Sequence, residues 1–455
     1  MDKKRILISS PFSLTFRNFL FSGFANFIED DEYEIAFVSP YDQSFIKFGN
    51  RYFKNYYVRS NNTNYSFKNL DNVSILDRFL ASVGHSIYSL KYPNSSIATL
   101  NRIEKGGVVL LLGKIIIYLT RYKSIKAIFY FFYRIFLFEK SNIKSIVNDF
   151  NPDYLITSTG GYFWLDNFLL RSAQKKNIKT LCVVMSWDNL YTRGPFYLFP
   201  ERLCVWNAEM KRVAIDRYGY NPENVFIVGA LQFTPYKQVE ITKQNPKHIL
   251  FVPGAQTSYY DLFCLKKLKA ALSTSKYKEL PILYRPHPQG NRELIKEISD
   301  LGIQIANSPN LVKNQDNLSE FANSDIVFMG ELIRDSYFVI SSWGTTVLFE
   351  SCLFNVPSIQ LVFLDELYTS ISNGERDLLP DMKKLEDFLN YPHMKLFDKS
   401  GARIYCYNSN DLLDYLRFMD ENKAFFKTRQ NVAVELITPV PYDDVFSSLL
   451  YCIKN

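Results

Sequence analysis

The strongest constraint on this chain is a rhythm. Short apolar runs, most of them closing on Ser, Gly, Pro or Asn, alternate with stretches of helical period, and the alternation occurs twice. "RILISS" reads as a buried strand, "FRNFLFSGFANFIED" as a helix and "YEIAFVSP" as the next strand. After a gap the pattern resumes with strands at "DYLITST", "TLCVVMSW", "RLCVWN" and "VFIVGA", and helices at Trp164–Lys176 and Glu209–Tyr218. A second series comes next: "HILFVPG", "PILYRPHP", "YFVISS" and "PSIQLVF" as strands, separated by helices at Leu262–Ser273, Glu293–Leu301 and Thr345–Asn355. Apolar strands spaced by helices imply βαβ units and parallel sheets buried on both faces.

At 455 residues the chain exceeds what one core usually serves. The polar, proline-bracketed stretch "PYKQVEITKQNP" (Pro235–Pro246) is the natural boundary. The expected fold class is therefore α/β, with two doubly wound domains, 1–235 and 246–455, facing a central cleft, and mostly helix from Leu385 on. Residues from about 42 to 140 break the rhythm and read as a helical insertion in the first domain. In such sheets ligands bind beyond the carboxyl ends of the strands, so the turns after the strands are where chemistry is sought.

Six turns qualify. In "YRPHPQGN", Arg285 offers a planar fork of donors suited to phosphate, and His287 can donate a hydrogen bond or a proton. The plain alternative is a capped strand end stiffened by prolines. In "VISSWGTTVLFES", Ser341, Ser342, Gly344, Thr345 and Thr346 surround a helix start, an anion-binding arrangement. Glu350, one turn later, could meet a ribose or sugar hydroxyl. Ordinary capping is the rival reading. In "FVPGAQTSY", Gly254 allows close approach, and Gln256 and Thr257 supply donors.

In "MSWDNLYTRG", Asp188 beside Trp187 is a candidate general base, with Asn189 and Arg193 near it. An Asx-turn with a packed Trp explains the same residues. In "TSTGGYFWLDNF", Gly160 and Gly161 could admit an acceptor, and Asp166 is a second carboxylate candidate. Ser10 and Arg17, in "SSPFSLTFRN", complete the expected acceptor side.

The net charge of +7 is uneven: residues 43–138 carry 14 Lys and Arg against Asp71, Asp77 and Glu104. Such a stretch fits either a solvated helical face or contact with an anionic membrane. No reader motif accompanies it, so nucleic acid is not an expected partner. The six cysteines have no metal or redox spacing. No DxD-like carboxylate set at a strand end, HExxH or P-loop is present, and "EDDE" (Glu29–Glu32) reads as a solvated helix end, so no metal and no cofactor is expected beyond an activated donor substrate. "MDKKRILISSPF" does not read as a secretory signal, and no uncharged apolar run is long enough to span a membrane. A cytoplasmic location, peripheral to the inner face of the plasma membrane, is the expectation.

The order "SWDNL…RG", "VWN…M", "VGALQF", "RPHP", "SS…GTT…E" resembles bacterial two-domain (GT-B) glycosyltransferases related to the CDP-glycerol glycerophosphotransferases and the UDP-N-acetylglucosamine 2-epimerase superfamily. The likeness spans roughly Asp153 to Phe363 and is strongest at "RPHP". It implies two Rossmann-like domains, the C-terminal one holding a nucleotide-activated donor. Arg285, His287, Ser341, Ser342, Thr345 and Thr346 would then contact the donor phosphates. The base would come from the N-terminal domain, Asp188 first and Asp166 second, without a metal. The N-terminal α/β core lacks an obvious catalytic His, which favours sugar transfer to a glycan or lipid-linked acceptor of a surface polysaccharide over transfer of a polyol phosphate from CDP. Sugar-nucleotide 2-epimerisation is the third reading.

Overall fold

The computed structural model describes residues 3–11, 13–28, 32–39, 57–58, 141–160, 163–192, 196–254, 258–287, 291–307, 323–375 and 393–455, with isolated positions at 75, 77, 78, 378 and 385. Nearly all of the basic stretch assigned to an insertion lies outside them. The chain divides into two compact units. Unit 1 comprises Met1–Thr234 and Val440–Asn455, and unit 2 comprises Pro235–Pro439.

Unit 1 is built on seven parallel strands: β1 (Lys4–Ser9), β2 (Tyr33–Val38), β3 (Tyr57–Val58), β4 (Tyr154–Thr157), β5 (Lys179–Val183), β6 (Arg202–Val205) and β7 (Val225–Ile227), in the order β3-β2-β1-β4-β5-β6-β7. The order reverses direction between β1 and β4, the Rossmann arrangement, and that reversal is the switch point where ligands usually bind. The first helical segment starts as α1 (Ser13–Phe16) and widens into a π-helix over Arg17–Phe21. After α2 (Phe24–Ile28), helix α3 (Ser141–Phe150) turns Ile143, Ile146, Val147 and Phe150 inward. That is the i, i+3, i+4, i+7 spacing of one helix face. Leu165, Phe168, Leu169 and Ala173 of α4 (Trp164–Lys175) pack into the same core. Short helices α5 (Asn189–Thr192) and α6 (Ala208–Val213) come after β5 and β6.

Unit 2 repeats the topology with six parallel strands: β8 (His248–Val252), β9 (Ile282–Tyr284), β10 (Gln304–Ile305), β11 (Ser336–Ser341), β12 (Ser358–Leu361) and β13 (Arg403–Cys406), ordered β10-β9-β8-β11-β12-β13. The switch point here lies between β8 and β11. Its helices are α7 (Tyr259–Leu272), α8 (Arg292–Asp300), α9 (Asn323–Arg334), α10 (Thr346–Leu353), α11 (Leu364–Ser372), α12 (Met394–Ser400), α13 (Leu412–Glu421) and α14 (Lys423–Ile437). Strands as short as β9 persist because Ile249, Phe251, Ile282 and Tyr284 are buried. Each such side chain contributes roughly 1.5–3 kcal/mol, more than intrinsic strand preference supplies.

Three features differ from the reading of the sequence. The boundary stretch is not a polar linker: 3₁₀ helices cover Leu231–Gln238 and Ile241–Lys243, and Phe233, Tyr236 and Val239 are buried. The C-terminal region contains a strand, β13, whose first residue is a buried arginine tied to Gln360 and Asp398. The last helix, α15 (Tyr442–Lys454), returns to unit 1 instead of staying with unit 2. Phe446 packs edge-on against Phe24 at 5.6 Å, Arg202 donates to the Cys452 carbonyl at 2.5 Å, and Lys454 pairs with Glu32 at 2.9 Å.

Candidate active site

At the switch point of unit 1 the strand ends carry hydroxyls. Ser9 and Ser10 close β1, and Ser158 and Thr159 come directly after β4. Asp166, in the first turn of α4, is shut from solvent. It accepts hydrogen bonds from the Ser9 and Thr159 hydroxyls and, at 2.9 Å, from the Thr159 amide. Burial pushes its carboxyl up from the ordinary carboxylate range, while these donors pull it back. The carboxylate thus ties β1 to the β4 turn, and its enclosure leaves no path to an incoming acceptor hydroxyl. The role expected second for Asp166 does not fit this placement.

Gly160 has φ +60°, and a Cβ there would come within 2.5 Å of the Phe196 ring. Glycine is needed for the backbone and for that ring, so the space expected for an acceptor is occupied by Phe196. A small recess, with room for about one water, remains beside it, lined by Thr159, Asn189, Leu190, Phe196 and Tyr218 among others. Gly161 and Arg193 lie outside the described residues.

The β5 turn carries the other carboxylate. Trp187 is buried as a packing residue, not displayed to an acceptor, whereas Asp188 is partly exposed. Ser186 donates its hydroxyl to Asp188 Oδ1 at 2.5 Å, and its amide donates to Asn189 Oδ1 at 2.9 Å. The Asn189 amide donates to the Ser186 carbonyl at 3.1 Å, so the turn is closed by its backbone, with both side chains reaching back to Ser186 and not forward as in an Asx-turn, and these bonds orient Asp188 at the strand end. Arg17 reaches Gln232, in the segment after β7. Ser10 is fully buried.

In unit 2 the SSWGTT turn divides. The Ser341 hydroxyl has the carbonyls of Val252 (2.8 Å) and Trp343 within reach of its one proton, and Ser342 donates to Asp261 Oδ1. Both hydroxyls are fully buried and face inward, so neither is offered to a phosphate. Asp261 also accepts from the Ser258 amide in the capping box of α7. Gly344, Thr345 and Thr346 are partly exposed, and Thr345 caps α10 through the Val347 amide at 3.5 Å. This open half, with the amides of the helix start, is the part that can meet an anion. A Cβ on Gly254 would meet Trp343 at 2.8 Å, so that glycine makes room for the indole. Gln256 and Thr257 lie outside the described residues. Glu350, expected at a sugar hydroxyl, is buried and accepts from Tyr236.

Arg285 comes directly after β9 and is 9% exposed; its amide donates to Phe251 O at 2.9 Å and its guanidinium to Ala306 O at 3.3 Å. Burial lowers its pKa, against the opposing charge of Asp325. His287 is held down to about 4 by burial and by the positive charge of Arg285, which makes it a neutral imidazole at pH 7. Tyr236, Asp261 and Asp325 were not foreseen as partners of this site. Asp261 alone had a sequence signal, the S-x-x-D spacing from Ser258.

No family model matches the chain. An uncharacterized protein of Methanocaldococcus jannaschii is 26% identical over 185 residues, 38% of this chain and 32% of that protein. The chain thus covers about a third of that relative's length. Among solved structures, UDP-GlcNAc 2-epimerase from Neisseria meningitidis bound to UDP-GlcNAc aligns over 100% of both chains with TM-score 0.54 and 10% identity. The S. aureus MnaA–UDP structure aligns over 99% of this chain and 96% of its own, with TM-score 0.53 and 10% identity. This chain has the GT-B fold. In a GT-B chain each unit carries its own Rossmann-order sheet, as both do here. Among the described residues, no helix is long and apolar enough to cross a membrane, and no three His, Cys, Asp or Glu side chains gather as metal ligands would.

Proposed function

We propose that this chain is a glycosyltransferase that moves a sugar from a nucleotide-activated donor to a hydroxyl of a glycan or lipid-linked acceptor in surface polysaccharide synthesis. The observation that carries the reading is the pair at the end of β9: a buried arginine two residues before a histidine kept neutral by burial and, after it, by the arginine's charge. As the bond from sugar to phosphate breaks, negative charge grows on the leaving phosphate. Arg285, His287 and the open Gly344–Thr346 turn supply fixed donors to that charge, which is electrostatic preorganisation. The UDP and UDP-GlcNAc bound by proteins of like fold support a nucleotide-sugar donor.

Asp188 is the proposed base for the acceptor hydroxyl, since it is partly exposed and held by Ser186. Asp166, Ser341, Ser342 and Glu350 act as braces of the strand-end turns. No metal takes part in this scheme. A cytoplasmic protein peripheral to an anionic membrane surface is the setting proposed with it.

The test is incubation with UDP-, GDP- and CMP-sugars and with CDP-glycerol, each with and without acceptor glycans, and then measurement of product mass. Sugar added to acceptor supports the proposal. Transfer of a polyol phosphate, or conversion of the donor without acceptor, replaces it by one of the two rival activities.

A further inference from the structure

The "VWN…M" motif of unit 1 is buried throughout: Trp206, Asn207 and Met210 are all shut from solvent. Asn207 caps α6 by accepting from the Met210 amide at 2.9 Å. Trp206, directly after β6, reaches to the neighbouring strand, where its indole Nε1 donates to the Val184 carbonyl at 2.9 Å. Val184 and Met185 are the two residues between the end of β5 and the Ser186–Asn189 turn that carries Asp188. They lie past the end of the strand, yet each of their main-chain polar groups is bound. The Val184 amide donates to Cys204 O at 2.9 Å and the Met185 amide to Ser158 O at 3.3 Å. Both carbonyls are taken by side chains, that of Val184 by Trp206 and that of Met185 by Asn18 Nδ2 at 3.1 Å.

A buried carbonyl without a donor rotates toward one, and its peptide plane turns with it. The bonds inside the turn set its shape, but the direction in which it leaves β5 is set by these two planes. The indole is itself held in place: β6 precedes it, the capped start of α6 comes after it, and the Phe233 ring stands edge-on to it at 5.6 Å. We propose that Trp206 and Asn18 are positioning residues for Asp188, aiming its carboxylate at the acceptor hydroxyl through the backbone of Val184 and Met185. The proposal rests on the glycosyl-transfer reading in taking Asp188 as the base. A base displaced by about 1 Å loses on the order of 10²-fold in rate, so two hydrogen bonds at the root of its turn bear directly on turnover.

Trp206→Phe keeps an aromatic ring against Phe233 and deletes the donor, and Asn18→Leu deletes the other donor at similar volume. Each should lower kcat about tenfold, with the donor KM and nucleotide-induced stabilisation unchanged. In an Asp188→Asn background neither substitution should lower the residual rate further, because the group they aim is gone. Losses that multiply would mean that the two bonds serve the fold alone, and they overturn the proposal. Hydrogen exchange reads the turn without turnover. The amides of Asn189 and Tyr191, bonded to the carbonyls of Ser186 and Asp188, should exchange at least about tenfold faster in each variant, while those of β11 keep the wild-type rate. Unchanged exchange in the turn, or equal acceleration in turn and β11, overturns the proposal as well. If Trp206→Phe does not fold, Asn18→Leu decides by the same readouts. If Asp188→Asn keeps full activity, or no activated donor turns over, the transfer reading fails, and the exchange rates alone decide whether these side chains anchor the turn.

Discussion

In unit 1 the strand ends at the switch point present Ser9, Ser10, Ser158 and Thr159, and one partly exposed carboxylate, Asp188, stands on the next strand. In unit 2 the switch point is filled by the contact of Gly254 with Trp343, and the charge sits one strand away, on Arg285. Both sheets have the same order, so topology does not account for the contrast. The difference lies in the residues of each strand-end turn. Unit 1 keeps its hydroxyls buried and offers one partly exposed carboxylate, which suits a hydroxyl that must lose a proton. Unit 2 offers a guanidinium, a neutral imidazole and a helix start, which suit an anion.

The contrast breaks first at Asp188. Asp188→Asn keeps the turn's shape and removes the base, so kcat/KM should fall about 10²–10⁴-fold. Nucleotide-induced stabilisation should persist, since the donor grip is assigned to unit 2. A variant that retains activity would move the base elsewhere. Arg285→Lys is next. It keeps a positive charge near Asp325 and loses the fork, and a loss of about 10²-fold in kcat is expected. Here nucleotide stabilisation should weaken too, the reverse of the Asp188 result.

A smaller effect separates the two halves of the SSWGTT turn. Ser342→Ala removes one donor from the buried carboxylate of Asp261, which should cost about 1–3 kcal/mol of stability. Chemical denaturation would read that, with turnover per folded molecule nearly unchanged. If Ser342→Ala instead lost donor affinity at full stability, the hydroxyl would face the ligand after all. Gly160→Ala belongs with it. The added methyl meets Phe196 at a positive φ, so it should destabilise the protein by about 1–3 kcal/mol, as overpacking does.

The strands could be read from the chain because each is a buried apolar run, and the Rossmann order came from their alternation with helices. Side-chain direction could not be read. Ser341 and Ser342 look like phosphate donors in a one-dimensional motif, yet β11 turns both toward the interior, where Val252 and Asp261 meet them. Glu350 lies on the expected helix, but its partner Tyr236 is 114 residues away in sequence, so no spacing announces it. The strand β13 was missed because Arg403 opens it, and a buried arginine gives no apolar period. The return of α15 was missed because an amphipathic helix at the end of a chain fits either core. Arg285 and His287 were singled out because prolines stiffen the strand end that carries them, and the structure places both directly after β9, although the burial of Arg285 could not be read.

The smallest expected effect concerns His287, and it tests the charge pattern of unit 2 directly. The unfolded chain takes up this proton near 6.5, the folded chain only near 4. Between those values the unfolded state binds more protons, so stability falls as pH drops through that window and is fully present above it. His287→Gln cannot titrate and should lack this part of the acid loss. Melting temperatures of both proteins at pH 7 and pH 5 give the comparison, because other titrating groups are common to the pair. The wild type should lose a few degrees more than the variant. An equal loss would mean that the imidazolium is tolerated beside Arg285, and the anion grip assigned to unit 2 would then need a different arrangement of charge.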